Sequence, residues 1–180
     1  MENRFIQFEL WKDCSQGCPF CCNRGQEPID KDASCQYVID KLKTLKPNEY
    51  DYIGLIGGEF FNNELDSHFP QFMRIIEEIY KLNPRKIFIT TNLIYNVEKH
   101  LKDFLEIMQI VQIDDRIVLC TSWDTNYRFK NKKQLSLWEK NVKYIHKNFP
   151  KVEIHVEMIM TQHLIDSVLR DNFRFQEFQK

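Results

Sequence analysis

Hydrophobic and polar positions along the chain follow two alternating periods. Short runs rich in Ile, Val, Phe and Thr occur at Phe5–Trp11, Tyr52–Ile56, Lys86–Thr91, Arg116–Thr121 and Val152–Met160. Each has the length and composition of a strand. Between them, apolar residues recur at helical spacing. Val38, Ile39, Leu42 and Leu45 make one face; Phe72, Ile75, Ile76 and Ile79 make a second. Leu101, Phe104, Leu105 and Met108 make a third, and Leu135, Trp138, Val142 and Ile145 a fourth. A shorter fifth face runs through Leu164, Ile165, Val168 and Leu169. Asp32 and Ser67 are the expected N-caps of the first two helices. Pro47, Pro84 and Pro150 fall just past helix ends, where proline is tolerated.

Strict strand–helix alternation implies parallel strands joined by right-handed crossovers, an α/β fold. In such folds the ligand site lies at the carboxyl ends of the strands. An eight-unit barrel takes about 250 residues, so the 180 residues here hold five or six units. The expectation is one domain over residues 1–180, a partial (β/α) barrel. Asp171–Lys180 shows no sixth strand pattern, so the last β/α unit is expected to be missing.

Charge and composition narrow the function classes. A formal net charge of -1 gives no global electrostatic case for nucleic acid or an anionic membrane. No apolar run reaches the roughly 18 residues of a membrane span. Glu2, Arg4, Glu9, Lys12 and Asp13 interrupt any signal-peptide core, so a cytoplasmic location is expected. Six cysteines in a reducing compartment point to metal or redox chemistry rather than to disulfides.

The chemistry concentrates after the first strand, in Cys14-Ser-Gln-Gly-Cys18-Pro-Phe-Cys21. Three thiolates in one loop can converge on one small metal centre. Iron–sulfur clusters usually take four cysteines, so three would leave one iron open to substrate chemistry, as catalytic zinc sites keep an open position. A structural zinc site is the plainer alternative, but it usually brings cysteines in two pairs, and the second pair is missing. Cys22, Cys35 and Cys120 read as small packed hydrophobes.

The CxxxCxxC spacing after strand one, with aromatic Phe20 just before the last cysteine, resembles the radical S-adenosylmethionine (radical SAM) superfamily. The resemblance implies a TIM-like six-unit core, of which about five units are present. It also implies a [4Fe–4S] cluster held by Cys14, Cys18 and Cys21, its open iron chelated by SAM.

Motifs at the other strand ends extend the resemblance. Gly57-Gly58-Glu59 ends strand two. Two glycines let the backbone approach a ligand, and a carboxylate can accept hydrogen bonds from an ammonium group. The segment is similar to the family's GGE motif, which binds the SAM amino group; a glycine turn with a solvated Glu is the plain reading. Thr90-Thr91-Asn92 ends strand three, and the related segment of several branches places Asn92 near SAM. Those branches often have Gly next, where this chain has Leu93. Ser122-Trp123-Asp124 and Arg128 resemble the Ser–Leu/Ile–Asp–Gly segment and following Arg of peptide and protein maturases (the SPASM-like branch). There the polar groups contact the SAM carboxylate or ribose. Trp123 and Thr125 depart from that pattern. The basic run Arg128, Lys130, Lys132 and Lys133 reads as a solvated loop. Glu153, His155 and Glu157 share one face of strand five and mark an exposed edge or a polar cavity.

The reaction so implied is reductive cleavage of SAM to a 5′-deoxyadenosyl radical that abstracts hydrogen from a substrate, here expected to be a peptide. A flavodoxin- or ferredoxin-like one-electron donor and a low-oxygen setting are implied with it. Two alternatives stand beside it: a compact enzyme acting on a small molecule or nucleotide, like 7-carboxy-7-deazaguanine synthase, and a non-enzymatic metal-binding fragment.

Overall fold

The computed structural model describes residues 3–19, 21, 23, 29–62, 67–123 and 128–158. Among these residues five strands alternate with four α-helices: β1 (Phe5–Glu9), α1 (Lys31–Thr44), β2 (Tyr52–Ile56), α2 (Phe69–Lys81), β3 (Lys86–Thr90), α3 (His100–Ile110), β4 (Ile117–Trp123), α4 (Lys132–Asn148) and β5 (Glu153–Met158); a 3-10 turn at Asp114–Arg116 leads into β4. The fifth helical pattern lies outside the described residues.

All pairings among the described residues are parallel and the sheet order is β1-β2-β3-β4-β5. A doubly wound sheet reverses its order at a switch point. This one never does, so right-handed crossovers put every connecting helix on one face, and the sheet curls as a partial barrel.

The register shows what each face carries. Ile6, Ile53, Ile87 and Ile117 stand in one row, and Phe8, Leu55, Ile89, Leu119 and Ile154 in the next. These rows meet the helices. Phe72, Ile75, Ile76 and Ile79 of α2 and Leu101, Phe104, Leu105 and Met108 of α3 are all buried. Full burial of one such side chain is worth about 1.5–3 kcal/mol, so this seam contributes strongly to the fold's stability. The opposite face carries Phe5, Tyr52, Phe88, Thr90, Cys120, Ser122 and the polar residues of β5. Phe88 meets the rings of Phe5, Tyr52 and His155 at centroid distances of 6.1, 5.9 and 5.9 Å.

Local details differ from the sequence expectation. The N-cap of α1 is Asp30, whose side chain accepts from Ala33 N; Asp32 lies within the first turn. At α2 the cap position is His68, with Pro70 in the first turn, and Ser67 bonds the His68 ring instead. Strand one stops at Glu9 rather than Trp11. Strand four runs on to Trp123, because Ser122 and Trp123 pair with Glu157 and Met158 of β5. No described helix is long and apolar enough to cross a membrane.

Candidate functional site

The site is assembled from the C-terminal ends of β1 to β4. Past β1 the chain stays paired with the end of β2: Leu10 N donates to Ile56 O at 3.0 Å, Gly58 N to Trp11 O at 2.6 Å and Glu59 N to Asp13 O at 2.9 Å. The two glycines make this contact possible. A Cβ on Gly57 would overlap the Trp11 carbonyl oxygen, and one on Gly58 the Asp13 carbonyl oxygen. Gly57 also has φ +142°, in the region that favours glycine. The backbone these glycines admit is therefore that of the cysteine loop itself.

Other groups brace the same loop. The Ser34 hydroxyl donates to Leu10 O, Lys31 pairs with Asp13 at 2.7 Å, and Lys31 lies 5.9 Å from the Trp11 ring centroid. Phe60 and Phe61, directly after Glu59, are fully buried against Trp11, Phe72 and Phe104. They peg the β2 end into the core, a role that the sequence motif does not advertise.

The loop then turns through Gly17 (φ +59°), and Cys21 N donates to Cys18 O at 3.1 Å. Cys14, Cys18 and Cys21 line one cavity of about 480 Å³ together with Gln16, Gly57, Gly58, Glu59, Asn92, Ser122 and Arg128. Nine expected site residues thus share one space. Phe20 and Asp124 lie outside the described residues. Cys35 is buried in α1, and Cys120 sits half-buried on β4.

Glu59 is only 2% exposed. One oxygen accepts from Phe61 N at 3.1 Å and from the Thr91 hydroxyl at 2.9 Å, while the other accepts from Asn92 N at 2.6 Å. Burial outweighs these hydrogen bonds and the nearby Arg128, raising its pKa to about 7. The Thr91 hydroxyl also meets the Tyr95 hydroxyl at 2.8 Å. Asn92 turns its side chain back: Oδ1 accepts from Ile94 N at 2.6 Å, and Nδ2 donates to Cys14 Sγ at 3.7 Å. Leu93 follows with φ +55° and no exposed surface. A second support comes from α4, where buried Asn141 donates to Leu93 O at 2.9 Å and Tyr95 O at 2.8 Å. The helical apolar pattern gave no reason to single out Asn141.

Electrostatics bind these parts together. Burial raises the Cys14 thiol, as does the Glu59 charge, while its hydrogen bonds to Gln16 and Asn92 lower it. Burial likewise raises Cys18, and Arg128 opposes that rise. Arg128 is buried, and burial lowers its own pKa against the pull of Cys18, Glu59, Cys14 and Cys21. Its Nε is buried with no hydrogen-bond partner among the described residues, as is Gln16 Oε1. Lys130 reaches back to Ser15 O at 3.4 Å, so part of the basic run touches the cysteine loop.

The donor set discriminates between metal groups. Among the described residues, no three His, Cys, Asp or Glu side chains close on a single ion-sized point. Three thiols around a shared cavity, with a buried cation beside them, suit a polynuclear cluster better than one tetrahedral zinc ion. The partnerless Nε and Oε1 in the same wall suit a polar ligand next to it.

Adjoining this cavity, Phe5, Gln7, Tyr52, Ile56, Phe88, Thr90, Cys120 and Glu157 line a second one of about 280 Å³. Ile56 and Thr90 wall both. Of the β5 acidic residues, Glu157 faces this space, whereas Glu153 pairs with Lys86 and lies 3.4 Å from His155.

Comparison with known proteins agrees with this architecture. The family model described as Radical SAM superfamily matches residues 8–158. The solved structure of hexahistidine-tagged anSMEcpe with bound AdoMet (S-adenosylmethionine) superimposes with a TM-score of 0.64 at 15% identity, covering 97% of this chain and 49% of that one. Native anSMEcpe with bound AdoMet and the Kp18Cys peptide gives 0.62 at 14% identity, covering 97% and 49%. The form with the Cp18Cys peptide gives 0.62 at 17% identity, covering 97% and 48%. At these identities the likeness is one of fold. The chain spans about half the length of these structures. No curated protein matches it.

Proposed function

We propose that this chain, which belongs to the radical SAM superfamily, binds a [4Fe–4S] cluster through Cys14, Cys18 and Cys21 and binds SAM beside it. Enzymes of the superfamily use both groups, with an electron donor and a substrate. When bound and supplied with one electron, these groups yield methionine and a 5′-deoxyadenosyl radical that takes a hydrogen atom from the substrate. The observation that carries the reading is the single cavity shared by the three thiols, the β2 and β3 ends, Ser122 and Arg128.

The protein's own groups have distinct tasks in it. Backbone around Gly57 and Gly58, with the Glu59 region, presents acceptors for the SAM ammonium group. Arg128 keeps a positive charge beside three thiolates and has an N–H to offer the SAM carboxylate. Ser122, which lines the same cavity, is assigned to the ribose, and the sequence motif alone assigns Phe20 and Asp124 to SAM binding. The second cavity, adjoining the first, is the way to the substrate. A peptide is the proposed substrate class, supported by the Ser122–Arg128 segment and by the peptide-bound forms of the similar fold. A flavodoxin- or ferredoxin-like donor and a cytoplasmic, low-oxygen setting complete the proposal.

The test is loading and binding. Anaerobically reconstituted protein should hold about four iron atoms per chain and retain SAM in equilibrium dialysis. Cys18→Ala should lose both. Full iron content in Cys18→Ala, or SAM retention equal in the loaded and metal-free protein, contradicts the proposal.

A further inference from the structure

We propose that Asn92 donates a hydrogen bond to the cluster-ligand sulfur of Cys14 and thereby sets the cluster's potential, with Asn141 as the positioning residue that holds it there. This rests on the radical SAM reading above.

The orientation of the Asn92 amide is fixed by its own turn. Ile94 N is a donor, so the side-chain atom it meets at 2.6 Å must be the oxygen. The nitrogen is therefore the atom that faces Cys14 Sγ at 3.7 Å, an ordinary separation for a donor to sulfur. The backbone of Asn92 is pinned as well, since its N–H lies 2.6 Å from the Glu59 carboxylate. An N–H aimed at a ligand sulfur stabilises the more electron-rich state of the cluster, and such bonds are among the levers that set its potential.

Holding this arrangement has a cost. The residue after Asn92 is Leu93, left-handed at φ +55°, a conformation that a residue with a Cβ disfavours. Asn141 spans the turn from α4, directing its side-chain amide to both Leu93 O and Tyr95 O. A purely structural brace would satisfy two buried carbonyls and leave the potential alone. A positioning residue would move it without touching the cluster.

The experiment is an EPR-monitored potentiometric titration of the reconstituted full chain without SAM. Asn92→Ser keeps an oxygen for Ile94 N and removes the N–H that faces Cys14. Asn141→Leu removes the brace, and Asn141→Ser serves if the Leu variant is insoluble. Each should lower the ratio of reduced to oxidised cluster at fixed poise by threefold to tenfold, tenfold being about 59 mV for a one-electron couple. The double variant should shift no further than Asn92→Ser alone, because both act through one contact. Fully loaded variants with the parent's potential overturn the proposal, and additive shifts overturn the positioning role of Asn141. A parent protein that takes up no iron fails earlier and contradicts the radical SAM reading itself.

Discussion

Asn92 offers its backbone N–H to the buried Glu59 carboxylate at 2.6 Å, which locks the end of β3 to the end of β2 across the candidate site. Two further donors, Phe61 N and the Thr91 hydroxyl, converge on the same carboxylate. Glu59 is thus an organising group of the fold as well as a wall of the cavity that the three cysteines line.

This buried carboxylate predicts a pH dependence. Its pKa rises from 4.5 to about 7 on folding, so the folded state favours the protonated form more than the unfolded chain does. The contribution is fully present below the unfolded value, is lost as pH rises through the folded value, and is flat above it. The metal-free protein should therefore lose stability, on the order of 3 kcal/mol at most, between about pH 5 and about pH 7.5. Urea unfolding at the two pH values measures it, and Glu59→Gln should flatten the difference. Stability rising over that window in the parent contradicts the assignment.

Replacement of the paired glycines should separate cleanly from replacement of a turn glycine. Gly58→Ala drives a methyl group into the Asp13 carbonyl and Gly57→Ala one into the Trp11 carbonyl. Backbone cannot yield as a side-chain tip can, so each should cost several kcal/mol, about 3 or more, or abolish soluble expression. Gly17→Ala meets nothing within 4 Å and carries only the left-handed penalty, about 1 kcal/mol. Thermal unfolding ranks the three, and equal melting temperatures for Gly17→Ala and Gly58→Ala contradict the packing argument.

Leu93 provides a test of backbone strain. In an ordinary buried position Ala replaces Leu better than Gly does. At φ +55° the order should reverse, with Leu93→Gly more stable than Leu93→Ala by about 1 kcal/mol. Both should fall below the parent by about 2–5 kcal/mol, since Leu93 is fully buried. Denaturant midpoints of the pair decide it; Leu93→Ala the more stable would show a right-handed residue.

The cysteines should divide into two classes. Cys14→Ala, Cys18→Ala and Cys21→Ala remove a wall of the shared cavity and should each abolish cluster loading. Cys35 packs in α1 with Val38 and Ile39. Cys35→Ala should load normally and lose on the order of 1 kcal/mol of stability. Iron content after anaerobic reconstitution reads the division directly, and equal loss in Cys18→Ala and Cys35→Ala would refute it.

The strands were legible because each is a short β-branched run between helical faces, and the sheet's single-sided order follows from their alternation. The cysteine loop was legible because its spacing and its place after β1 both carry information. What the glycines touch was not: GGE suggests a ligand cradle, whereas Gly57 and Gly58 admit the Trp11–Asp13 backbone. Nothing local marks Asn141, a polar residue on a buried helix face whose partners are Leu93 and Tyr95. The α1 cap fell on Asp30 rather than Asp32, a choice between two nearby aspartates made by which one can reach Ala33 N. The length of β4 depended on a partner strand, since Ser122 and Trp123 become strand by pairing with β5. Period two showed that Glu153, His155 and Glu157 share a face; only the register showed that it is the open one.

The most direct measurement is the formation of 5′-deoxyadenosine when the anaerobically reconstituted protein is given SAM and dithionite. The parent protein should give 5′-deoxyadenosine and methionine in equal amounts, and Cys18→Ala should give neither. A parent protein that holds a full cluster and binds SAM yet never releases 5′-deoxyadenosine would contradict the radical SAM assignment of this site.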